Sequence, residues 1–224
     1  MQTQALVFDM DGTMIDSLGF HARSWSEFAR QHGIKKDMFT WMRSANGRTG
    51  VECMRELFAQ DLSDEQARAL VAQKEQIYRD LFAPEFAEIK GFSEFARLAF
   101  ARGLKLGMGT AGDQNNIDFA LRQLAMPTPP QVRVGGDQGL PGKPQPDIFL
   151  EVAKGLGVPP EACIVFEDAP LGIEAARRAG MRAVAICSSH SRDELASPNV
   201  VACVNNYLEL IDSRFLEKLN VELT

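Results

Sequence analysis

The chain has 224 residues, of which 45% are hydrophobic and 24% charged, and its formal net charge at pH 7 is −6. This length suffices for one large domain, or for a core domain with a smaller one, and the composition is typical of globular proteins. The acidic balance argues against general binding to nucleic acid or to anionic membranes, so we expect neither kind of partner.

Cysteine usage and hydropathy bear on the cellular compartment. The cysteines form no Cys-x-x-Cys pair, and no stretch of the chain approaches about 18 uninterrupted apolar residues. No basic segment precedes an apolar run at the start, so we expect no signal peptide. These features predict reduced thiols and a cytoplasmic location. No interface signature stands out, and we expect a monomer.

The first predicted element is a short apolar strand over residues 5–8, followed directly by Asp9 and Asp11. Its continuous apolar character predicts burial on both faces, as in parallel sheets, and Gly12 permits a sharp turn at its end. Two acids at such a strand end suit two tasks, since one can attack or bind a metal while the other moves protons. The same letters also occur in ordinary turns and in calcium loops, but residues 13–20 offer only one further acid.

The next part of the chain has a helical pattern. Apolar stripes predict helices over 21–31, 49–60 and 64–82, and Ser63 with Gln66 forms a capping box before the last of them. No convincing strand pattern occurs between residues 17 and 88. We therefore predict a small all-helical domain over 17–90, inserted into a core domain made of 1–16 and 91–224.

From Gly91 onward, strand and helix patterns alternate. The predicted strands are 104–108, 132–134, 163–166, 183–187 and 200–204, and the predicted helices are 92–101, 115–124, 146–156, 170–179 and 207–219. Alternation of this kind predicts an α/β fold with a Rossmann-like parallel sheet covered by helices on both faces.

Polar residues follow the predicted strands at the edge where parallel strands end together. They are Asp9, Asp11, Thr110, Lys143, Glu167 and Asp168. Crowded carboxylates repel one another and require a cation, and hard oxygen ligands indicate Mg²⁺. The lysine would offset the remaining charge and bind an anion, while the hydroxyl and backbone amides donate to phosphate oxygens.

Each of these residues also has an ordinary explanation. Glu167 and Asp168 suit a helix cap, Lys143 a solvated loop and Thr110 a turn. Their joint placement at successive strand ends is what favours a site in which a carboxylate attacks phosphorus.

In this order the residues resemble the motifs of the haloacid dehalogenase superfamily. The motifs are Asp9-Met10-Asp11-Gly12-Thr13, Thr110, Gly142-Lys143-Pro144 and Glu167-Asp168. The helical insertion resembles the C1 cap of that superfamily, and the resemblance spans essentially the whole chain. Two further patterns, Asp16-Ser17 with His21 and Trp25, and the run over 165–173, are similar to the β-phosphoglucomutase-like group of phosphatases and mutases.

The resemblance implies a role for each core residue. Asp9 would be the nucleophile that becomes an aspartyl-phosphate, and Asp11 the acid and base. Asp9, the backbone carbonyl of Asp11 and Asp168 would hold Mg²⁺. Glu167 would be a further ligand or would accept a hydrogen bond beside the metal. Thr110 and Lys143 would hold the transferred phosphoryl group. Because dehalogenases of the superfamily lack the second acid, Asp11 favours phosphate chemistry.

The resemblance also suggests which residues contact the substrate. In the cap these are His21, Trp25 and Arg48, the last within a loop similar to the mutase loop that grips a second phosphate. In the core they are Ala111 and Gly112, directly after the second motif. For His21 and Arg48 a surface position is the plain alternative, and Trp25 also suits the core of the cap.

One departure from the mutases bears on the reaction. Where they carry a serine and a Lys-Asn pair, this chain has Ala111-Gly112-Asp113-Gln114-Asn115. An acid there would repel a second phosphate group. The sequence therefore favours hydrolysis of a small phosphorylated metabolite, a sugar or polyol phosphate, with a phosphoryl mutase as the alternative.

Two other functions fit the sequence less well. A non-catalytic regulator that binds a phosphorylated ligand would be free to lose Asp9, Asp11 or Lys143, and all three are present. A phosphonate hydrolase would need a cap lysine for Schiff-base chemistry, and the candidates Lys35 and Lys36 follow Gly33 in a predicted loop.

Overall fold

The computed structural model describes residues 2–45, 49–58 and 61–219. The chain contacts divide the protein into two compact units, one made of Met1–Asp16 and Ala87–Thr224 and the other of Ser17–Phe86. We refer to them as the core unit and the inserted unit.

The core unit contains a six-stranded sheet in the order β3-β2-β1-β4-β5-β6, in which every neighbouring pair is parallel. The strands are β1 (Ala5–Phe8), β2 (Lys105–Gly109), β3 (Val132–Val134), β4 (Cys163–Glu167), β5 (Arg182–Ile186) and β6 (Val200–Val204). The α/β prediction is confirmed. The predicted strands lie within a residue or two of the observed ones.

Helices cover both faces of the sheet. They are α5 (Phe92–Ala101), α6 (Gln114–Leu124), α7 (Asp147–Leu156), α8 (Pro170–Arg178), α9 (Tyr207–Asp212) and α10 (Phe215–Lys218). On one face Val7 and Val165 pack in a cluster with residues of α7 and α8. On the other, the ring of Phe8 contacts Phe92 of α5 at 5.3 Å between centroids. The two central strands, β1 and β4, are buried at every position. Their side chains therefore pack against apolar residues on both faces of the sheet.

The last predicted helix, 207–219, is broken into α9 and α10. Ser213 ends α9, and Arg214 adopts a left-handed backbone conformation with φ of 54°. A residue in the left-handed conformation cannot continue a right-handed helix, so the run of helical hydrogen bonds ends there.

The inserted unit is helical throughout its described part. Its helices are α1 (Leu18–Gln31), α2 (Met38–Ala45), α3 (Gly50–Phe58) and α4 (Asp64–Phe82). The predicted capping box is present at the start of α4, where Ser63 accepts from the amide of Gln66 and the Gln66 side chain accepts from the amide of Ser63. The unit has its own apolar core: Trp25, Phe28, Ala29, Met38, Trp41, Cys53, Met54 and Ala67.

The two segments of the core unit that flank the insertion lie side by side. Ile15 pairs with Glu88, the amide of Asp16 donates to Ala87 at 2.9 Å, and the amide of Ile89 donates to Met14 at 3.0 Å. These bonds attach residues 87–90 to the core unit, so the second boundary lies at Phe86 and Ala87, whereas the sequence predicted 90 and 91. No helix in the described ranges is both long and apolar enough to span a bilayer.

Candidate active site

The site forms where the strand order of the sheet switches direction. The chain builds β1, β2 and β3 toward one edge and then continues with β4, β5 and β6 on the other side of β1. Open α/β sheets bind ligands at such a point, outside the carboxyl ends of the strands. Asp9 follows β1 there, and its amide donates to the carbonyl of Phe166 in β4 at 3.0 Å. The parallel register therefore brings Asp9 beside Glu167.

A tight turn follows Asp9 and presents Asp11. The carbonyl of Met10 accepts hydrogen bonds from the amides of Thr13, Met14 and Ile15. Gly12 has φ of 74°, a left-handed conformation that favours glycine over other residues. The turn leaves Asp9 buried at 6% exposure and Asp11 half-buried. One acid is thus shielded and the other is accessible from outside.

Lys143 joins two of the acids. Its Nζ lies 2.5 Å from Oδ1 of Asp9 and 2.7 Å from Oε1 of Glu167, and its side chain is 8% exposed. Burial alone would lower the pKa of Lys143, but the two carboxylates outweigh burial and raise it. The lysine therefore stays charged at every physiological pH and remains a fixed cation between the strand ends.

The carboxylates Asp9 and Asp168 share a buried, electronegative surrounding. Burial raises the pKa of Asp9 well above its usual value, with Glu167 and Asp168 adding to the rise and Lys143 opposing it. Burial and Glu167 likewise raise the pKa of Asp168 to about 8, while Ser189 and Lys143 lower it. One lysine is not sufficient to stabilise this group of acids in their charged forms, so the site favours an additional cation.

Both carboxylate oxygens of Glu167 accept hydrogen bonds within the protein. One of its carboxylate oxygens accepts from Lys143, and the other accepts from the amide of Ala169 at 2.8 Å. With both oxygens engaged, the geometry favours Glu167 as the residue beside the metal rather than a direct ligand. Gly172 makes room for it, because a Cβ there would lie 1.8 Å from Oε1 of Glu167.

Thr110 follows β2 at the same edge. It is 1% exposed, and its Oγ1 accepts from the amide of Gly112 at 3.0 Å. The hydroxyl proton of Thr110 remains available for a phosphate oxygen. Ala111 is exposed and Gly112 half-buried, so both predicted contact residues lie in an accessible loop at the strand end.

The donor set fits Mg²⁺ better than a metal enclosed by protein side chains. Within the residues that the structure describes, no three His, Cys, Asp or Glu side chains converge to enclose a metal ion. Mg²⁺ does not require such a cage, since it commonly takes one or two carboxylates and completes its shell with waters and phosphate. Two buried acids with raised pKa values, Asp9 and Asp168, match that requirement.

The predicted cap residues lie in the inserted unit. Trp25 is buried at 8% exposure and packs edge-on against Trp41 at 5.1 Å between centroids, so its burial favours a core role over substrate contact. His21 is half-buried and stacks on Tyr78 at 3.9 Å. Arg48 lies outside the described residues.

Sequence reasoning missed a buried cation in the same unit. Lys74 is 2% exposed, and its Nζ lies 2.9 Å from Nδ1 of His21 and 2.8 Å from Glu75. A signal was present, because Lys74 falls on the buried stripe of α4 that also includes Ala67 and Tyr78. A lysine on an apolar helical stripe indicates a buried polar cluster.

A second group that sequence reasoning missed follows β5. The hydroxyl of Ser188 donates to the carbonyl of Gly12 at 2.5 Å, and Ser189 and His190 contact Asp168. Ser188 and Ser189 directly follow the predicted strand 183–187, so the pattern that indicated the other site residues could also have indicated these two.

Asp113 has a structural role that the sequence did not indicate. It is the N-cap of α6, where its Oδ1 accepts from the amide of Asn116 at 2.8 Å. An acid is favourable at a helix N-terminus. The presence of an acid there is therefore explained without reference to a second phosphate, and the argument against a mutase that relied on Asp113 is weakened.

The sheet order and the acids at its edge are consistent with a known family of α/β proteins. A family model for haloacid dehalogenase-like hydrolases matches residues 3–180. The chain belongs to this family, and within it to the β-phosphoglucomutase-like group.

Curated relatives cover most of the chain. It is 32% identical to Protein CbbY of Rhodobacter capsulatus, over 87% of this chain and 89% of the relative. It is 31% identical to the fructose-1-phosphate phosphatase YqaB of Escherichia coli, over 80% of this chain and 94% of the relative. Among solved structures, a β-phosphoglucomutase from Clostridium difficile superimposes with a TM-score of 0.82 at 25% identity, covering 96% of each chain.

Proposed function

We propose that this chain is a Mg²⁺-dependent phosphatase that hydrolyses a small phosphomonoester, a sugar or polyol phosphate, through a phosphoryl group carried on Asp9. The observation that supports it most is the buried contact of Lys143 with Asp9 at the switch point of the sheet. A fixed cation beside a nucleophilic carboxylate attracts a phosphate dianion and lowers the repulsion between the two anions.

The first step transfers the phosphoryl group. Lys143 holds Oδ1 of Asp9, so we assign the attack on phosphorus to Oδ2. As the bond from Asp9 to phosphorus forms, the ester P–O bond breaks, and Asp11 gives its proton to the leaving alcohol oxygen. Thr110 donates to a phosphoryl oxygen. Asp9, the backbone carbonyl of Asp11 and Asp168 would hold Mg²⁺, which when bound would neutralise charge on the carboxylates and the phosphoryl group.

The second step releases phosphate. A water molecule attacks phosphorus, its proton passes to Asp11, and the bond to Asp9 breaks. Asp11 is thereby protonated again and Asp9 is again a carboxylate, so both residues return to their starting states. The half-buried position of Asp11 suits this exchange with water, whereas the buried Asp9 suits the covalent step.

The substrate class is inferred from relatives. The Escherichia coli relative is named for fructose 1-phosphate, and another, from Thermotoga maritima, is named a phosphorylated carbohydrates phosphatase. We extend this class to the present chain. The similarity to a β-phosphoglucomutase supports a phosphoryl mutase as the second candidate.

Phosphate release from a panel tests the proposal. The panel contains fructose 1-phosphate, other sugar and polyol phosphates and phosphoglycolate, each with Mg²⁺ and with EDTA. We expect release with Mg²⁺ that is lost in Asp9→Asn and retained in Asp193→Asn, whose side chain is exposed. Isomerisation of β-glucose 1-phosphate without net release would favour the mutase instead. A folded protein with neither activity would favour a ligand-binding regulator.

Other expectations about the protein stay predictions. They are the monomeric state, the cytoplasmic location, and the lack of nucleic-acid and membrane partners. Gel filtration at two concentrations would measure the first of these.

A further inference from the structure

We propose that Ser189 is a positioning residue that orients the Asp168 carboxylate toward the Mg²⁺ site. Its hydroxyl contacts both the side-chain Oδ2 and, at 2.7 Å, the backbone carbonyl of Asp168. The inference rests on the proposed Mg²⁺ site and adds a residue to its surroundings.

Three successive residues of the loop after β5 make hydrogen-bond contacts with the site. Ser188 donates to the carbonyl of Gly12, in the turn that presents Asp11, at 2.5 Å. Ser189 binds Asp168, and His190 contacts the carbonyl of Asp168 through Nδ1 at 3.0 Å. The loop therefore connects the turn after β1 with the end of β4, the two segments that supply the proposed ligands.

The direction of each hydrogen bond follows from the acceptors. A backbone carbonyl has no proton to give, so Nδ1 of His190 must carry the hydrogen in its contact with Asp168. That nitrogen also lies 2.7 Å from the hydroxyl of Ser189. With Nδ1 as a donor, the one proton of Ser189 is free to go to the carboxylate. That carboxylate must be ionised to hold a cation, and a bond to an ionised acceptor is the stronger choice.

The remaining oxygen of Asp168 is only weakly engaged. Oδ1 accepts from the hydroxyl of Thr13 at 3.4 Å, near the long limit for a hydrogen bond. Asp168 itself is 4% exposed. A strong bond on Oδ2 and a weak one on Oδ1 fix the carboxylate plane and leave Oδ1 available to a cation. Outer hydrogen bonds of this kind commonly orient metal ligands.

The test measures Mg²⁺ binding directly by isothermal titration calorimetry of the metal-free protein. We expect Ser189→Ala to raise the Kd for Mg²⁺ about tenfold, which is the lower end of the usual effect of such outer partners. Ser189→Thr, which retains the hydroxyl, should stay close to the wild-type Kd. The matched control is Ser191→Ala in the same loop, whose hydroxyl bonds Glu194; its Kd should not change.

Two activity measurements separate this role from a general structural one. At saturating Mg²⁺, Ser189→Ala should recover most of the wild-type kcat, while the Mg²⁺ concentration for half-maximal rate rises with the Kd. Its melting temperature in EDTA should match that of Ser191→Ala. An unchanged Kd in Ser189→Ala, or an equal rise in Ser191→Ala, would overturn the inference.

The calorimetric readout also keeps this inference apart from the proposed reaction. Wild-type protein that binds Mg²⁺ with the expected Ser189 dependence, but releases phosphate from no substrate, would support the inference and contradict the phosphatase. Wild-type protein that binds no Mg²⁺ would overturn the inference whatever its activity.

Discussion

The ammonium nitrogen of Lys143 lies 2.5 Å from Oδ1 of Asp9, although the two residues are 134 positions apart in the chain. The contact joins the end of the first strand to the connection between β3 and β4. It provides the proposed nucleophile with a permanent counter-charge.

Removal of this lysine should destabilise the fold. Lys143→Met leaves Asp9 and Glu167 buried without their cation, and loss of one partner of a buried ion pair typically costs about 3–5 kcal/mol. The free energy of unfolding, measured with urea at pH 8, should fall by about this amount. At pH 5 the loss should be smaller, because burial raises the pKa of Asp9 and its carboxyl can then take up a proton.

Lys154→Met is the matched control for that variant. Lys154 pairs with Glu151 at 2.9 Å, but its side chain is 75% exposed. Exposed pairs contribute roughly 0–1 kcal/mol. Equal losses in the two lysine variants would contradict a special role for the buried pair.

Glu167 and Asp168 should differ in their effect on Mg²⁺. Asp168→Asn removes a proposed ligand, so we expect Mg²⁺ binding to weaken at least about a hundredfold by calorimetry. Glu167→Gln removes the negative charge that pairs with Lys143 but keeps an acceptor oxygen for its hydrogen bond. The Kd for Mg²⁺ should therefore change far less, while kcat falls. A similar loss of Mg²⁺ affinity in both variants would instead identify Glu167 as a direct ligand.

The stability of the metal-free protein should fall as pH rises. Folding raises the pKa of Asp168 from 3.8 to about 8 and raises that of Asp9 in the same direction. Between these values the folded state binds more protons than the unfolded chain, so the free energy of unfolding decreases with pH. In EDTA, Tm at pH 8 should therefore lie below Tm at pH 5.5.

Mg²⁺ should oppose this trend. The ion binds the ionised carboxylates, so its stabilising effect grows with pH. We expect the gain in Tm on adding Mg²⁺ to be larger at pH 8 than at pH 5.5 by at least about 2–4 °C, or about 1 kcal/mol for a chain of this size. A Tm in EDTA that rises steadily from pH 5.5 to 8 would contradict the raised pKa values of Asp9 and Asp168 in the folded protein.

Gly172 should not tolerate a methyl group. Alanine usually stabilises a helix relative to glycine, but a Cβ at Gly172 would lie 1.8 Å from Oε1 and 2.0 Å from Cδ of the buried Glu167. Displacement of Glu167 should lower the free energy of unfolding by about 1–3 kcal/mol and reduce kcat.

Gly19→Ala serves as the control, since no atom lies within 4 Å of a Cβ placed at that helical position. Its free energy of unfolding should stay the same or rise by up to about 1 kcal/mol, the usual gain from alanine over glycine in a helix. Both variants are measured by urea unfolding. A neutral Gly172→Ala would mean that Glu167 can move without consequence.

The sequence predicted the sheet, and it placed most of the candidate site residues at one edge, because both inferences depend on local patterns. A buried strand followed by polar residues is readable along the chain, and parallel topology then brings the strand ends together. Asp9, Thr110 and Asp168 follow this rule, whereas Lys143 lies in the loop between β3 and α7. The order of the motifs along the chain then indicated the protein family.

What the sequence did not reveal are the pairings between side chains. That both oxygens of Glu167 are engaged depends on rotamers and on the path of α8, which no spacing encodes. The burial of Trp25 depends on how α1 and α2 pack. Ser189 follows a strand like the other site residues, but serine is so common in loops that its position alone carries little information.

The hydrogen bond between Asp16 and Ala87 means that the inserted unit leaves and re-enters the core at one point. A segment attached in this way can be lengthened, exchanged or reduced to a short turn without altering the order of the strands. The candidate site residues at the sheet edge all belong to the core unit and lie outside this insertion. Residues 17–86 can therefore change in sequence or length while the strand ends that carry Asp9 and Lys143 keep their arrangement.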